Sequence, residues 1–253
     1  MPDILSMEDV ANKSGLIHIG TSGWSYKEWA NDFYRGLKPK EQFQFYTTRF
    51  CTVEINATFY RLPALKTVQD WRLKAPEKFI FAVKGSRLIT HIKRLNNLGR
   101  LVSNFIRRVQ PLKEKLGPLL WQLPPNLKRD LPRLEAFLKR LPKTMSHAIE
   151  FRHPDWMAPG TFELLRKYHA AFVSVSSMRM PQNFSVTADF IYIRFHGLSG
   201  GARHDYTRKE LEPWATHIIH QADQGRPAFV YFNNDLNVRA PNNAALLAEL
   251  CNK

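Results

Sequence analysis

Cysteine is scarce in this chain of 253 residues: Cys51 and Cys251 are the only two. So few, so far apart, they exclude a disulfide framework and a Cys-x-x-Cys metal site, and a reducing cytoplasmic setting is expected. Long hydrophobic runs are missing too. Nothing approaches the roughly 20 apolar residues of a membrane span, so a soluble protein with no membrane partner is expected. The opening segment MPDILSMEDVANKSG has neither a basic start nor an apolar stretch. Residues 1–15 therefore read as an N-terminal tail rather than a signal peptide, and residues 16–253 as the domain. No linker rich in Pro, Gly or Ser, no low-complexity block and no strong internal repeat divides that domain.

Several catalytic signatures are absent as well. A nucleophile elbow needs Gly-x-Ser-x-Gly, whereas Gly20-Thr21-Ser22-Gly23 brings the second glycine one residue too early. There is no glycine-rich dinucleotide fingerprint, and no His-x-His or His-Glu-x-x-His spacing, so neither a cofactor nor a metal is expected. Acidic residues are outnumbered, 22 against 37 Lys and Arg, for a net charge of +15. The imbalance peaks between Lys84 and Lys115, where Lys84, Arg87, Lys93, Arg94, Arg100, Arg107, Arg108, Lys113 and Lys115 face only Glu114. Such density attracts polyanions through counterion release, and weak, salt-dependent nucleic-acid binding follows from it. It equally describes a solvated face, since no nucleic-acid motif accompanies it.

What is present is a rhythm of short apolar runs, each bounded by turn or helix signals. They are LIHIG at 16, TVEIN at 52, FIFAV at 79, PLLWQ at 118, HAIEF at 147, AFVSV at 171, FIYIRF at 190 and AFVYF at 228. Between them, helical stripes are read at Phe105, Val109, Leu112 and Leu116; at Leu131, Leu134, Phe137, Leu138 and Leu141; and at Leu211, Trp214, Ile218 and Ala222. Strand followed by helix, eight times over about 250 residues, predicts an α/β fold: a single (β/α)8 TIM barrel with a closed parallel sheet.

The barrel turns alternation into a functional expectation, because every second strand residue looks inward. Strands covered on both faces should read as near-continuous apolar runs. Polar residues at their C-terminal ends therefore ask for a cause, and that end is where such barrels carry their active sites. Glu54 and Asn56 share one face, as do Glu150 and Arg152, and Arg194 and His196, while Lys84, Gln122 and Asn234 end their runs. Asn234 is placed on the inward face. In the first turn, Gly20 to Gly23 leaves room for a ligand or a neighbouring loop, and His18 reads as core or as a supporting partner.

At this point the residues carry a resemblance. The strings IGTSGWSYKEW, VEINATFYRLP, KGSRLITHIKRL, LGPLLWQLPPN, AIEFRHPDW, YIRFHG and YFNND resemble successive motifs of the YecE-like TIM-barrel family, a family of unknown function. The resemblance spans nearly the whole chain. It implies the barrel and a polar pocket at its mouth, and supplies no reaction. Where such proteins often carry an aspartate after strand six, this chain has Ser176 and Ser177, and NNDLNVRAPNNA lacks the glycine usual before the last helix.

Chemically, Lys84, Arg152 and Arg194 against Glu54 and Glu150, with His91, His153 and His196 expected to titrate near neutrality, favour an anionic ligand. Arg152 and Arg194 are expected to clamp one carboxylate or phosphate, or else to fill the barrel in a structural ion network. Glu54 and Glu150 are the acid and base candidates, one protonated by burial and the other ionised by arginine, with His196 beside them. Trp24, Trp29, Tyr60 and Trp156 could stack on a base or sugar, or simply pack under loops. Gly200 and Gly201 in HGLSGGARHDY are placed to cradle phosphate, as loops after strands seven and eight of such barrels do. The expected function is an enzyme, with a hydrolase in view, acting on a phosphate-bearing or other anionic small molecule such as a nucleotide or nucleic-acid component. The alternative is a non-catalytic nucleic-acid binder using its basic outer helices.

Overall fold

The computed structural model describes residues 15–252, so the N-terminal tail proposed above lies almost wholly outside the described residues. Each apolar run coincides with a strand to within two residues at either end: β1 (Ile17–Thr21), β2 (Thr52–Ile55), β3 (Ile80–Lys84), β4 (Leu116–Gln122), β5 (His147–Glu150), β6 (Ala170–Ser176), β7 (Ile191–Phe195) and β8 (Ala228–Phe232). They pair in the order β1-β8-β7-β6-β5-β4-β3-β2, every ladder parallel. The result is an α/β TIM barrel.

Two apolar populations divide at the sheet. Val53, Phe81, Val83, Leu119, Trp121, Ile149, Phe172, Ile193, Phe195, Val230 and Phe232 face out into one core beneath the helices. Ala82, Leu120, Ala148, Ala171, Val173, Tyr192 and Tyr231 form a second, smaller core inside the barrel. Alanines on β3, β5 and β6 leave room there for the large rings of Tyr192 and Tyr231, which lie 5.3 Å apart, and the lumen is filled by side chains rather than left as a pore.

The ring closes between β1 and β2 by unusual means. Only Ser22 and Glu54 form a bridge there, joined by the Gly23 N–H donating to the Glu54 carbonyl at 2.8 Å. Lower on the seam, the hydroxyl of buried Tyr46 stands in for a ladder bond. It accepts from the Thr21 N–H at 3.0 Å and donates to the Thr52 carbonyl at 3.0 Å. Gly20 makes this approach possible, because a Cβ there would lie 2.3 Å from the Thr52 carbonyl oxygen.

Around the barrel run α1 (Pro39–Thr47), α2 (Ala57–Tyr60), α3 (Leu65–Lys74), α4 (Leu101–Val109), α5 (Leu131–Leu138), α6 (Pro159–Lys167), α7 (Arg208–Asp223) and α8 (Arg239–Cys251). Three sequence expectations need correction. The stripe from Phe105 to Leu116 breaks after Val109, where a 3-10 turn carrying Pro111 follows, and Leu116 opens β4. Leu141 likewise lies past the end of α5. The strand-helix alternation also fails once, since residues 177–190 between β6 and β7 contain no helix. Thr187 in that segment lies along β6 instead, its hydroxyl donating to the Ala170 carbonyl and accepting from the Phe172 N–H, both at 2.7 Å. Among the described residues no helix is long and apolar enough to cross a membrane.

Candidate functional site

Arg194, on the inner face of β7, is 1% exposed and sits between two fully buried carboxylates. Its Nη1 donates to Glu150 Oε2 at 2.6 Å, and its Nη2 to Glu54 Oε1 at 2.7 Å. Glu54 also accepts from Ser22 Oγ and from Tyr192 Oη, each at 2.7 Å, so every contact to it is a donor. Glu150 receives Arg152 Nε on its other oxygen. Burial by itself would raise the Glu150 pKa, but Arg152 and then Arg194 hold it well below the usual carboxylate range. The Arg194 guanidinium is kept charged in the same way, Glu150 and Glu54 overriding the effect of burial.

Above this layer the site opens. Arg152 retains 23% side-chain exposure, and its Nη2 lies 2.8 Å from His196 Nε2, which is also 3.1 Å from Glu150. Burial, aided by Arg194 and Arg152 and opposed by Glu150, lowers the His196 pKa to about 4, so the ring is neutral at pH 7. One nitrogen cannot both accept and donate. The shorter contact favours the tautomer in which Nε2 accepts from Arg152. Lys84, at the end of β3, places its ammonium over the Phe59 ring, 4.4 Å from the centroid. His91 meets the same ring edge-on at 4.9 Å and lies 3.5 Å from the Gln122 amide. Burial, then Arg194, lowers the Lys84 pKa to about 8, against the pull of Glu150 and Glu54.

Several polar groups at this end have no hydrogen-bond partner among the described residues. Lys84 Nζ and Arg152 Nη1 enter no hydrogen bond, and Asn56 Oδ1, Ser177 Oγ and, in the layer below, Arg194 Nε are buried and unbonded. They stand at the C-terminal ends of β3, β5, β2, β6 and β7. Ser177 continues the inward parity of Ala171, Val173 and Val175.

Comparison with known proteins places the molecule. The family described as Protein of unknown function DUF72 matches residues 18–253. The chain belongs to the DUF72 family. It is 34% identical over 149 residues to the UPF0759 protein YecE of Escherichia coli K12, a match covering 58% of this chain and 53% of that one. The chain thus spans about half the length of the Escherichia coli relatives it matches. UPF0759 protein YunF of Bacillus subtilis is 24% identical over 268 residues, covering 93% of this chain and 94% of its own. Among solved structures, a DUF72 family protein from Thermotoga maritima superposes with a TM-score of 0.86 at 28% identity, covering 94% of this chain and all of that one. A second, from Enterococcus faecalis, gives 0.79 at 19% identity over 94% and 96% of the two chains, a likeness of fold.

Within this DUF72 barrel the expected site residues divide. Glu54, Lys84, Glu150, Arg152, Arg194 and His196 come together. Asn56 and Gln122 stand at the same end, and Tyr60 is 79% exposed with its ring 5.0 Å from Phe59. Trp156 is not a stacking platform. It is 1% exposed, stacked on Phe151 and donating to the Leu127 carbonyl. Trp29 is fully buried too, and Trp24 packs on Phe43 and Trp71. His153 caps the 3-10 turn Pro154–Trp156, accepting from the Asp155 N–H at 3.3 Å.

Asn234 does not take the inward face expected of it. Its amide donates to the His204 carbonyl and to Asn243 Oδ1, and alternation from Tyr231 gives the inward position to Asn233, whose Oδ1 meets the Asn56 amide at 3.5 Å. Of the two glycines expected to cradle phosphate, Gly201 does not offer its N–H. The N–H groups of Gly197, Gly201, Arg203 and His204 already bond to Tyr206, Leu198, Gly200 and Gly201. A Cβ at Gly197 (φ 82°) would lie 1.7 Å from the Gly201 carbonyl oxygen. The two-arginine clamp is also corrected, because both Nη atoms of Arg194 face glutamates. His91, like His196, is lowered to about 4, by burial and then Lys84, so neither titrates near neutrality.

Residues that the sequence pattern does not single out complete the site. Tyr192 precedes Arg194 by two on the same strand, and alternation alone identifies it. Ser22, set aside as a nucleophile, binds Glu54. Phe59, beneath Lys84, carried no signal beyond its apolarity. His18 stacks on Phe229 at 4.8 Å inside the barrel. A cavity of about 770 Å³ opens at the opposite end, where β5 and β6 begin. The imidazole of His147 there is occupied by the Pro142 carbonyl and the Trp121 N–H. Among the described residues no cluster of three His, Cys, Asp or Glu is arranged to hold a metal ion.

Proposed function

We propose that this protein is an enzyme that binds a small anionic substrate, carrying a carboxylate or phosphate, at the C-terminal mouth of the barrel. The observation that supports the reading is the set of unpartnered groups ringing that mouth, Arg152 Nη1, Lys84 Nζ, Asn56 Oδ1 and Ser177 Oγ, on four different strands. Three cations, Lys84, Arg152 and Arg194, stand against two carboxylates, Glu54 and Glu150, so an arriving anion completes the charge balance. A buried polar group left unbonded costs about 1–3 kcal/mol, and a ligand that engages it recovers that cost. The glutamates take a different role from acid and base. Glu150, held strongly ionised, is a weak base that fixes Arg152, and Lys84, whose pKa burial lowers to about 8, is the candidate for the chemistry.

Calorimetry with inorganic phosphate, nucleoside monophosphates and small carboxylates tests this. Arg152→Gln should weaken the binding by about 2–5 kcal/mol. Undiminished binding in that variant, or no binding of any anion at millimolar concentration, would remove the reading.

A second reading, nucleic-acid binding, rests on the segment after β3. Its π-helical turn Leu88–Ile92 leaves Leu88 and Ile92 38% and 61% exposed, and Arg87, Lys93 and Arg100 are exposed around it. Lys115 drops out of the basic face, being buried and donating to the Arg72 and Ala75 carbonyls. Single-stranded DNA titrated at several salt concentrations should show a slope of roughly 0.7 per phosphate contact. A salt-independent affinity would exclude this mode.

A further inference from the structure

Resting on the reading of the mouth as an anion site, we infer that Lys84 is a covalent nucleophile, forming an imine with the carbonyl carbon of an oxo acid whose carboxylate is held by Arg152. Four features of the structure support it. Lys84 ends a strand at the face where barrel enzymes place their reacting groups. Its ammonium has neither an acidic partner within ion-pair distance nor a hydrogen bond, and lies over the Phe59 ring instead. Thr58 fixes the backbone beneath it, its hydroxyl donating to the Lys84 carbonyl at 2.7 Å.

The fourth feature is the charge around it. Arg194, Arg152 and Glu150 act on it from β7 and β5, and Glu54 from β2, while His91 beyond β3 stays neutral. Every carboxylate near enough to neutralise the ammonium is already bonded to an arginine: Glu54 to Arg194, and Glu150 to Arg194 and Arg152. A lysine so placed gives up its proton near pH 8, where an exposed lysine holds it past pH 10. A partly desolvated lysine near other cations is the usual setting of an imine-forming amine.

The step balances without an oxidant or reductant. The neutral amine attacks the carbonyl carbon, a C–N bond forms, and the carbonyl π pair moves to oxygen, which takes a proton from the amine. The carbinolamine then loses that oxygen as water, with a second proton from solvent, leaving an iminium on Lys84 Nζ. The iminium draws electrons from the adjacent carbon, so the reaction class is proton removal or bond cleavage next to the carbonyl.

The experiment treats the intact protein with pyruvate, glyoxylate or 2-oxoglutarate and sodium borohydride at pH 7.5, and locates the reduced adduct by peptide mass spectrometry. Lys84 should be labelled on the order of a hundredfold faster than the other lysines, in proportion to its larger free-amine fraction. Labelling should saturate with the oxo acid and disappear in Lys84→Arg and Lys84→Met, with circular-dichroism melting used to verify folding. Uniform labelling of the lysines, or labelling unchanged in Lys84→Arg, overturns the inference. Calorimetry with inorganic phosphate, which has no carbonyl, separates the two levels. Phosphate binding that depends on Arg152, without Lys84 labelling, sinks the imine and leaves the anion site, whereas absence of both sinks both.

Discussion

Tyr192 and Arg194, neighbours on the inner face of β7, take opposite oxygens of the Glu54 carboxylate, each at 2.7 Å. Two residues of spacing on one strand thus supply a neutral and a charged donor to the same buried acid. Replacing Arg194 with Met should cost about 3–5 kcal/mol, because it leaves Glu54 and Glu150 in the interior without their shared cation. Tyr192→Phe, which removes one hydroxyl from a charged acceptor, should cost about 1.5–3 kcal/mol. Urea unfolding of both variants checks the order, and a smaller loss for Arg194→Met than for Tyr192→Phe would show that the ion network contributes little.

The pH dependence has a definite sign. His18, His147 and His196 are each lowered to about 4, in each case chiefly by burial. The unfolded chain therefore binds protons between about pH 6.5 and 4 that the folded chain does not. The stabilisation is complete above pH 6.5 and is lost as the pH falls, by up to about 1.4 kcal/mol per pH unit for each histidine. Glu150 adds to the loss at still lower pH, since its stabilisation is present above the unfolded carboxylate pKa and disappears as the pH falls through its depressed folded value. Urea midpoints at pH 7, 6 and 5 should decline steeply, and a flat profile would refute the buried neutral histidines.

At the barrel seam, Tyr46→Phe should cost about 1–3 kcal/mol, because the Thr21 N–H and the Thr52 carbonyl lose their common partner. Gly20→Ala should cost a similar amount by overpacking. Hydrogen exchange should locate the damage in β1 and β2, and spreading it evenly over the barrel would contradict this.

Asn233 and Asn234 should separate function from stability. Asn234→Ala strands the His204 carbonyl and takes one of two donors from Asn243 Oδ1, so it should lower stability by about 1–3 kcal/mol with anion binding unchanged. Asn233→Ala should alter anion binding with little effect on melting. The reverse pattern would return Asn234 to the mouth.

Most of the barrel was legible because every strand announces itself as an apolar run, and the central charged residues because they interrupt those runs. Parity then placed Glu54, Glu150, Arg152, Arg194 and His196 correctly. It failed at Asn234 only through a one-residue miscount from Tyr231. Trp156 and the glycine loop misled for another reason. Aromatics and glycines serve packing as readily as binding, and only three-dimensional neighbours such as Phe151 or Gly201 distinguish the two uses. Charge density misled at Lys115, whose ammonium turns inward to two backbone carbonyls that no side-chain pattern reveals. The partners of Arg194 lie far away in sequence, so whether its donors are free or occupied was invisible until the chain closed on itself.

That closure gives Glu54 two roles at once. Its backbone carbonyl receives the Gly23 amide across the seam, while its side chain holds Arg194. The hoop and the chamber it encloses therefore share a fastening. If the proposed anion settles against Arg152 and steadies the charges below it, the joint between the first and second strands should tighten with it, and the Gly23 amide, bonded to the Glu54 carbonyl, should then exchange more slowly with solvent in the presence of the anion.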